Sequence, residues 1–403
     1  MIVNLRDWMR PQLDQVGDIT HSVSNILREI ERKGDTAIDY FSQKFDGIKP
    51  KEIKLQEFSE YQLEKELADS IELAASRIEK FARFQKKNGS QDALFSDEYG
   101  EYGQRVTAIE RAGAYIPGGR FPLISTALMT LIPAKVAGCK IRIACSPSDH
   151  PAILAAASLA GATKFIQIGG VQAIALLANG YKDDSPVDVI VGPGNAWVNE
   201  AKKQLQSKVK IDGLAGPSEL VALCDERQPI IWIALDAMAQ AEHDPMACSI
   251  IVSDSLSWLN SMQAYLVDKK ETKGLLQNKQ IELVFAKSTN EMIGFSNQYA
   301  PEHLMLCHQE LKKTSLINYG SLFIGANSAV AIGDYISGPN HTLPTLGYAK
   351  QNGGLNVASF QKVACFQNIN HLGVSALSNY AMPIAKAEGL TQHYSSLKIR
   401  SKR

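Results

Sequence analysis

The chain has 403 residues, of which 45% are hydrophobic and 21% are charged, a composition typical of a soluble globular protein. This length exceeds what one ordinary core accommodates, so two or more domains are expected. The 42 basic and 42 acidic residues cancel to a formal net charge of zero. Because nucleic acids and anionic membrane surfaces bind proteins with a basic excess, this balance argues against either as the main partner.

The cysteines and the N-terminal sequence both indicate a cytoplasmic protein. Six cysteines are scattered without a CxxC pair, which is typical of reduced thiols in a cytosolic chain of this size. The N-terminal stretch MIVNLRDWMRPQ carries charges where a signal peptide has its apolar core. No apolar run approaches the roughly 20 residues that span a bilayer.

The chain begins with helical patterns. Apolar residues recur at helical spacing in residues 19–33, and a long amphipathic pattern rich in Glu, Ala and Lys covers residues 60–86. The polar, glycine-containing residues 89–103 are typical of a loop or of a boundary between domains. These segments predict a mostly helical N-terminal part that ends in a loop.

After this loop the pattern changes to that of a parallel sheet. Three short apolar runs, separated by alanine-rich helical stretches, occupy residues 140–145, 164–169 and 187–192. The repeated order of strand, turn and helix is typical of parallel strands with crossover helices. Ligands in such sheets lie at the carboxyl ends of the strands, where the second and third runs end in glycine.

A second α/β region covers residues 212–340, and a tail follows it. The candidate strands of this region are residues 219–223, 249–252, 281–285 and 321–324. Residues 229–242 form a predicted helix between the first two of these strands. From residue 352 the chain is polar and helical with no obvious core of its own, which is typical of a tail that packs on a second subunit.

Two short segments carry candidate catalytic or metal-binding side chains. Gln240 and His243 are three residues apart and project from one face of a helix, although such a pair is more often an ordinary surface or capping pair than a metal site. Glu302 and His303 follow Pro301. A proline at the first helical position would place them at a helix N-terminus, which favours a carboxylate anion and a neutral imidazole. On local sequence alone, an ordinary first helical turn explains them better.

Three loops add further candidates. The segment 333–341 carries Asp, Asn and His between glycines and a proline, although Asp and Asn are also common turn residues. The glycine loops 115–119 and 192–195 allow a ligand to approach the backbone, but neither fits GxGxxG. The residues alone therefore indicate a cytosolic α/β enzyme without naming its reaction.

Taken together, these segments resemble the histidinol dehydrogenase family. Each matching stretch is short, but jointly they are highly specific, and their order and approximate spacing fit over nearly the whole chain. They are YIPGG (115–119), LMTLIPAKVAGC (128–139), GGVQAIALLA (169–178), VGPGNAWVNEAKKQ (191–204), AGPSEL (215–220), AQAEHDP (239–245), NQYAPEHL (297–304), GDYISGPNHTLPT (333–345) and EGLTQH (388–393).

The resemblance, together with the pattern of elements, implies an α/β fold of two Rossmann-like domains that lack the GxGxxG fingerprint. The main domain is expected to join residues 1–110 to residues 212–350, and residues 111–211 are expected to form the second. Residues 351–403 are expected to be a helical tail that packs on the partner subunit of a homodimer.

The resemblance also implies the chemistry. A zinc ion would be bound by Gln240, His243 and Asp334, with His393 supplied by the partner subunit's tail. His303 would remove the alcohol proton of L-histidinol as hydride leaves to the first NAD. Glu302 would then activate the water that attacks the aldehyde, and a second NAD would take the second hydride to give L-histidine.

Further residues match the family's binding positions. Substrate contacts, besides the zinc ligands and His303, are implied at Ser125, Ser218, His341 and Glu388. Contacts with the dinucleotide are implied at Tyr115, Gln172 and Asn195.

Two alternatives remain beside this interpretation. A family relative that oxidises another chelating alcohol, such as a sulfonated propanediol, is expected to carry a cationic side chain in the pocket, and Arg120 is the candidate. The presence of His341 and Glu388 favours histidinol. A non-catalytic binding protein on the same scaffold is expected to lose a base or a metal ligand first, whereas every such position is filled here.

Overall fold

The structure, a computed structural model, describes residues 2–10, 16–119, 122–214 and 216–401. The strands, in chain order, are β1 (Ile2–Asn4), β2 (Lys51–Ile53), β3 (Ala93–Asp97), β4 (Gly100–Ala108), β5 (Arg111–Tyr115), β6 (Ile141–Ser146), β7 (Lys164–Gln167), β8 (Val189–Val191), β9 (Lys210–Ile211), β10 (Glu219–Cys224), β11 (Cys248–Ser253), β12 (Ile281–Phe285), β13 (His303–Cys307), β14 (Ser321–Ile324) and β15 (Gln361–Ile369). The helices are α1 (Val16–Lys33), α2 (Asp35–Asp46), α3 (Lys65–Asn88), α4 (Ile124–Ala137), α5 (Pro151–Leu159), α6 (Gly170–Asn179), α7 (Ala196–Leu205), α8 (Ile230–Ala241), α9 (Leu256–Asp268), α10 (Thr272–Gln277), α11 (Thr289–Tyr299), α12 (Val330–Tyr335), α13 (His371–Ala387) and α14 (Thr391–Arg400).

The first sheet is parallel throughout and has the order β1-β12-β11-β10-β13-β14. Separate apolar clusters cover its two faces, as expected for a parallel sheet with crossover helices. The four strands predicted from the sequence are confirmed as β10, β11, β12 and β14. The inner strand β13 was not predicted, because residues 300–304 were interpreted as the start of a helix.

The second sheet has the order β2-β7-β6-β5-β8-β9, parallel except for the antiparallel edge strand β2. The three predicted strands are confirmed as β6, β7 and β8. The central strand β5 was missed, since its sequence RAGAY has no β-branched residue and little alternation. Apolar clusters again cover both faces.

The N-terminal helices pack differently from expectation. We expected residues 1–110 to join the first sheet, but among the described residues of this range β1 is the one strand that does so, with Leu5 and Trp8 packed on a face of the sheet. Helices α1 and α2 pack on α6 and α7, and α3 packs on α4, so these helices cover the second sheet. The apolar stripe of an amphipathic helix predicts that one face is buried, but it does not say which sheet covers that face.

A small third sheet corrects two further expectations. The order β15-β4-β3 is antiparallel, so residues 93–108 form a hairpin where the sequence predicted a loop. Residues 361–369 form a strand within the tail that the sequence predicted to be wholly helical. Both faces of this sheet carry polar residues, which weakens the alternating pattern that predicts a strand. Beyond β15, helices α13 and α14 pack on each other.

Two observations bear on location. Within the described ranges, no helix is both long and apolar enough to cross a membrane. The cysteines are free thiols, with four of them buried, Cys248 half-buried and Cys365 exposed.

Candidate active site

The candidate catalytic residues lie at the edge of the first sheet where its strands begin. The parallel strands β10, β13 and β14 start at Glu219, His303 and Ser321. Helix α8 runs back from the opposite edge, so its last turn brings Gln240 to this same edge. The amino edge of the first sheet therefore collects side chains from strands and helices alike.

The structure corrects the expectation that Glu302 and His303 begin a helix. Helix α11 has ended by Ala300, whose φ is 54°, and His303 is the first residue of β13. Pro301 thus follows a helix rather than starting one. The surroundings of this pair, rather than the N-terminus of a helix, determine its electrostatics.

His303 lies between two carboxylates. Its side chain is buried, with Nδ1 3.5 Å from Glu302 Oε2 and Nε2 3.5 Å from Asp334 Oδ1. Neither ring nitrogen makes a hydrogen bond within the described part of the chain. Burial lowers the pKa of His303, but the charges of Glu302 and Asp334 outweigh it and raise the pKa to about 10. The arrangement therefore stabilises the imidazolium that forms when His303 accepts a proton.

Glu302 is fixed by the neighbouring strand. Its Oε2 accepts a hydrogen bond of 2.8 Å from the backbone N–H of Glu219, the first residue of β10. Glu302 is itself buried. One carboxylate oxygen is thus committed to the scaffold, and the same oxygen faces His303.

Two predicted metal ligands, Asp334 and His243, lie near this pair, and a third, Gln240, ends α8 at the same edge. Gln240 is buried, and its amide nitrogen has no hydrogen-bond partner among the described residues. His243 Nδ1 lies 3.3 Å from the hydroxyl of Ser218. Burial raises the pKa of Asp334, but His303, and more weakly His341 and His243, lower it below its ordinary value. Zinc would bind Gln240 through its carbonyl oxygen, and an amide oxygen, a carboxylate and an imidazole are ligand types that zinc accepts.

The fourth predicted ligand, His393, is not part of this group. His393 on α14 and Glu388 at the end of α13 are both exposed. Among the described residues, the hydrogen bonds of α14 stay within the two tail helices. No group of three or more His, Cys, Asp and Glu side chains in the described chain is arranged to hold a metal ion.

A cavity of about 390 Å³ opens beside His303 and is lined by Asp334 and His341 among others. His341 donates from Nδ1 to the backbone oxygen of Asp334 at 2.8 Å, so that Nε2 carries the lone pair when the ring is neutral. Burial lowers the pKa of His341, which favours this neutral form. Its Nε2 lies 3.4 Å from the hydroxyl of Thr126, next to Ser125 in the first turn of α4. The second sheet therefore reaches the cavity through α4.

The three predicted dinucleotide contacts lie at the carboxyl edge of the second sheet. Tyr115 ends β5, Gln172 is in the first turn of α6 after β7, and Asn195 caps α7 after β8. Asn195 accepts the N–H groups of Trp197 and Val198 at 3.1 Å, which leaves its amide nitrogen free to donate. The placement agrees with the rule that ligands bind at the carboxyl ends of parallel strands.

Asp46 organises this edge. Its Oδ2 accepts the Gly169 N–H and the Gln172 Nε2, both at 3.0 Å. The hydroxyl of Tyr115 accepts the Gly170 N–H at 3.3 Å, and burial raises the pKa of Tyr115 to about 12. These bonds use the Gln172 amide nitrogen as a donor and the Tyr115 hydroxyl oxygen as an acceptor.

Four residues that organise the site were missed from the sequence: Arg10, Asp46, Thr126 and Glu219. The sequence could have indicated Glu219, because a carboxylate at the start of the apolar run ELVALC is expected to be buried and therefore to need a partner. Arg10 and Asp46 lie far from their partners along the chain and left no local signal. Arg120, on which the sulfonate alternative depended, lies outside the described residues.

Known proteins match this chain over nearly its full length. The family model described as histidinol dehydrogenase matches residues 9–401. Histidinol dehydrogenase of Methanosarcina barkeri is 38% identical over 400 residues, which cover 95% of this chain and 92% of that protein. Histidinol dehydrogenase of Methanocaldococcus jannaschii is 37% identical over 400 residues, which cover 96% and 93%.

The fold agrees as well. The crystal structure of histidinol dehydrogenase from Elizabethkingia anophelis has a TM-score of 0.90 at 32% identity, and the match covers 99% of this chain and 95% of that one. The predicted α/β fold with parallel sheets is therefore confirmed. Matches of this extent show that the chain is an oxidoreductase and belongs to the histidinol dehydrogenase family.

Proposed function

We propose that this protein oxidises L-histidinol through L-histidinaldehyde to L-histidine, with two molecules of NAD. The observation that carries the proposal is the buried His303, which lies between the carboxylates of Glu302 and Asp334 on the wall of a cavity. These carboxylates hold the ring in its charged form, and a cation bound to Asp334 would lower the pKa of His303, so that the neutral ring could take the proton of the alcohol. Family membership supplies the substrate, and it does not favour another alcohol.

Zinc is the proposed metal, with Gln240, His243 and Asp334 as ligands from one chain and His393 from the partner's tail. The buried position of Gln240 at the amino edge, and the oxygen and nitrogen donors of these side chains, support this choice. When bound, zinc would hold the amine and imidazole of histidinol, and NAD would accept the hydride from the carbinol carbon.

His303 and Glu302 then serve the two oxidations in turn. His303 takes the hydroxyl proton of the alcohol, and the two flanking carboxylates stabilise the charge that forms on the ring. Glu302 takes a proton from the water that attacks the aldehyde, while the Glu219 N–H keeps its Oε2 in place. Two neighbouring bases at the start of one strand thus serve both steps.

The remaining contacts follow from which atoms are already bonded. His341 lines the cavity, with Nδ1 bonded to the Asp334 backbone oxygen and Nε2 near the Thr126 hydroxyl. Ser125, next to Thr126, and Ser218, whose hydroxyl lies 3.3 Å from His243, are the further proposed substrate contacts, with Glu388 added from the tail. The dinucleotide would meet Tyr115, Gln172 and Asn195 at the carboxyl edge of the second sheet.

We further propose that the protein acts in the cytoplasm as a homodimer, in which residues 351–403 complete the partner's site. The exposed apolar side chains of Tyr380, Ile384 and Leu390 on the tail helices support docking on another surface. The exposure of His393 within its own chain supports the same arrangement.

Mixed dimers test the exchange of tails. Chains with His303→Asn and chains with His393→Ala are each expected to be inactive alone. When the two are unfolded together and refolded as a mixture, half of the dimers would be mixed, and each would carry one intact site, which restores about a quarter of the wild-type activity. No recovery in verified mixed dimers would place His393 in its own chain's site or outside any site.

The reaction itself is tested by stoichiometry. Zinc-loaded protein given limiting L-histidinol is expected to form two NADH for each substrate molecule, and a chelator is expected to abolish turnover until zinc is restored. A folded, zinc-loaded dimer that leaves histidinol unchanged would refute the substrate. One NADH per histidinol would refute the oxidation of the aldehyde.

A further inference from the structure

An ion pair between half-buried Arg10 and buried Glu219 lies next to Glu302. The carboxylate of Glu219 contacts the guanidinium of Arg10 and accepts the Leu346 N–H at 3.1 Å. Only 3% of Glu219 is exposed. Arg10 also donates to the backbone oxygen of Tyr299 at 3.2 Å, and its guanidinium lies 4.0 Å from the centre of the Tyr299 ring. One arginine from the start of the chain therefore joins the first residue of β10 to the last residue of α11.

This pair holds the turn that carries Glu302. Tyr299 stands at the beginning of the turn, and Ala300 follows it in a left-handed conformation that a residue with a side chain rarely adopts. At the end of the turn, Glu302 Oε2 accepts the backbone N–H of Glu219. Both ends of the turn are thus anchored to one Arg10–Glu219 unit, and a strained backbone persists only where its surroundings determine it.

His303 depends much less on the same unit. Its backbone is paired with Leu220 in the ladder between β13 and β10. Its ring contacts Asp334 through the other nitrogen and lies 5.8 Å from the ring of Phe323, centre to centre. A disturbance at Arg10 therefore shifts Glu302 before it shifts His303. A small shift leaves the Glu302 charge close enough to stabilise the imidazolium, because a charge interaction changes little over a fraction of an ångström.

We propose that Arg10 and Glu219 are positioning residues for Glu302, which control aldehyde oxidation and leave alcohol oxidation nearly unchanged. The inference rests on the proposed function, because it assigns the aldehyde step to Glu302 and the alcohol step to His303. Arg10 touches no reacting atom and acts through Glu219 and the turn.

The charges of Arg10 and Glu219 add a second, testable consequence to the proposal. Without Arg10, the Glu219 carboxylate would remain buried beside Glu302 with no countercharge, which is unfavourable for both carboxylates. Replacing Glu219 with Gln removes that charge but keeps the backbone N–H that Glu302 needs. The damage from losing Arg10 is therefore expected to be partly repaired by Glu219→Gln, whereas two unrelated structural lesions would add.

The experiment compares Arg10→Met, Glu219→Gln and the double variant as full-length, zinc-loaded protein. Arg6→Met is the matched control, because Arg6 is on the same N-terminal segment in an exposed ion pair with Glu291. Single-turnover NADH formation is followed with L-histidinol and, separately, with L-histidinaldehyde. Zinc content and thermal unfolding are measured on each variant.

Arg10→Met is expected to slow aldehyde oxidation by about 10²-fold and alcohol oxidation by no more than about threefold, as a small displacement of one catalytic group does. Glu219→Gln is expected to show the same selectivity with a smaller loss. The double variant is expected to recover roughly tenfold over Arg10→Met in the aldehyde step. Arg6→Met is expected to match the wild type in both steps.

Equal losses in the two steps, with zinc content unchanged, would overturn the proposal. Additive losses in the double variant would overturn the charge argument and with it the pairing of Arg10 with Glu219. If Arg10→Met does not fold, Glu219→Gln alone decides, because it must slow the aldehyde step selectively. Failure of the wild type with both substrates would instead refute the proposed function.

Discussion

The two parallel sheets are built alike, yet they present their candidate ligand groups at opposite edges. In the second sheet, Tyr115, Gln172 and Asn195 lie where strands end and helices begin. In the first sheet, Glu302 and His303 lie where β13 begins and α8 ends. The two edges face each other, since Thr126 at the start of α4 approaches His341 beside the first sheet.

The difference follows from the polarity of helices. At the carboxyl edge of a parallel sheet, helix N-termini present free N–H groups that suit polar and anionic ligands such as a dinucleotide. At the amino edge, helix C-termini present carbonyl groups and a partial negative charge that suit cations. Gln240 and His243 lie at the C-terminal end of α8, where the helix itself would favour the proposed zinc ion. Opposed edges would thus bring the proposed dinucleotide site and the proposed cation site together.

The largest expected effect is on kcat, and it compares histidines at the two ends of β13. His303 precedes the interior of β13, whereas His308 follows its last residue and is paired with Asp254 at 3.3 Å. His303→Asn is expected to lower kcat for histidinol by about 10³-fold, since general base catalysis contributes that order. His308→Asn, also buried and directly after the same strand, is the control and should keep kcat near the wild-type value. A comparable loss of kcat in both variants would contradict the proposal that the reaction takes place at the amino edge.

The strands that the sequence predicted are those whose residues form a continuous apolar run. β10, β11 and β12 are buried on both faces and rich in Val, Ile and Leu, so their pattern was clear. β5 and β13 are inner strands as well, but RAGAY is small and HLMLC follows a proline. Their place in the sheet depends on neighbours that lie far away in the chain, which no local pattern records.

The site residues were predicted from motifs, whereas their surroundings were not. Glu302 and His303 were identified by resemblance, but their structural context was predicted to be a helix and is a strand. Arg10 and Glu219 are separated by more than half the length of the chain. Asp46 at the end of α2 and Gln172 on α6 are 126 residues apart. Such long-range polar contacts arise only once the sheets are packed, because each partner alone is an ordinary charged residue.

The next largest effect is expected from a glycine substitution at the carboxyl edge of the second sheet, where the dinucleotide is proposed to bind. Gly192 has φ of 115°, and an added Cβ would lie 2.1 Å from the backbone oxygen of Tyr115. Gly192→Ala is expected to lower the free energy of unfolding by about 2 kcal/mol and to raise KM for NAD at least roughly tenfold. Gly274→Ala, on α10 beside the first sheet, meets open space and is the control. A variant with normal unfolding and normal NAD kinetics would show that this loop does not shape the dinucleotide site.

The carboxylate of Asp46 offers a milder test of the same edge. Asp46→Asn keeps the shape but weakens the bonds to Gly169 N–H and Gln172 Nε2, so KM for NAD is expected to rise about tenfold. KM for histidinol is expected to stay unchanged because that substrate binds at the other edge. Asp39→Asn, on the same helix but bonded to the Tyr181 hydroxyl, is the control. Equal shifts in the two KM values would contradict the separation of the edges.

The smallest expected effect concerns α8, the helix that brings Gln240 to the amino edge. Burial raises the pKa of Asp236 to about 6, and the Val330 N–H only partly offsets this. Because the folded pKa lies above the unfolded value, its contribution to stability is present below about pH 4 and is lost as the pH rises through 6. Asp236→Asn removes this loss. Its stability relative to the wild type is therefore expected to increase by roughly 1 to 2 kcal/mol between pH 4 and pH 8, measured by urea unfolding. Asp268→Asn, an exposed carboxylate on α9, is expected to show no such increase. If the stability difference between Asp236→Asn and the wild type does not change between pH 4 and pH 8, burial does not raise the pKa of Asp236.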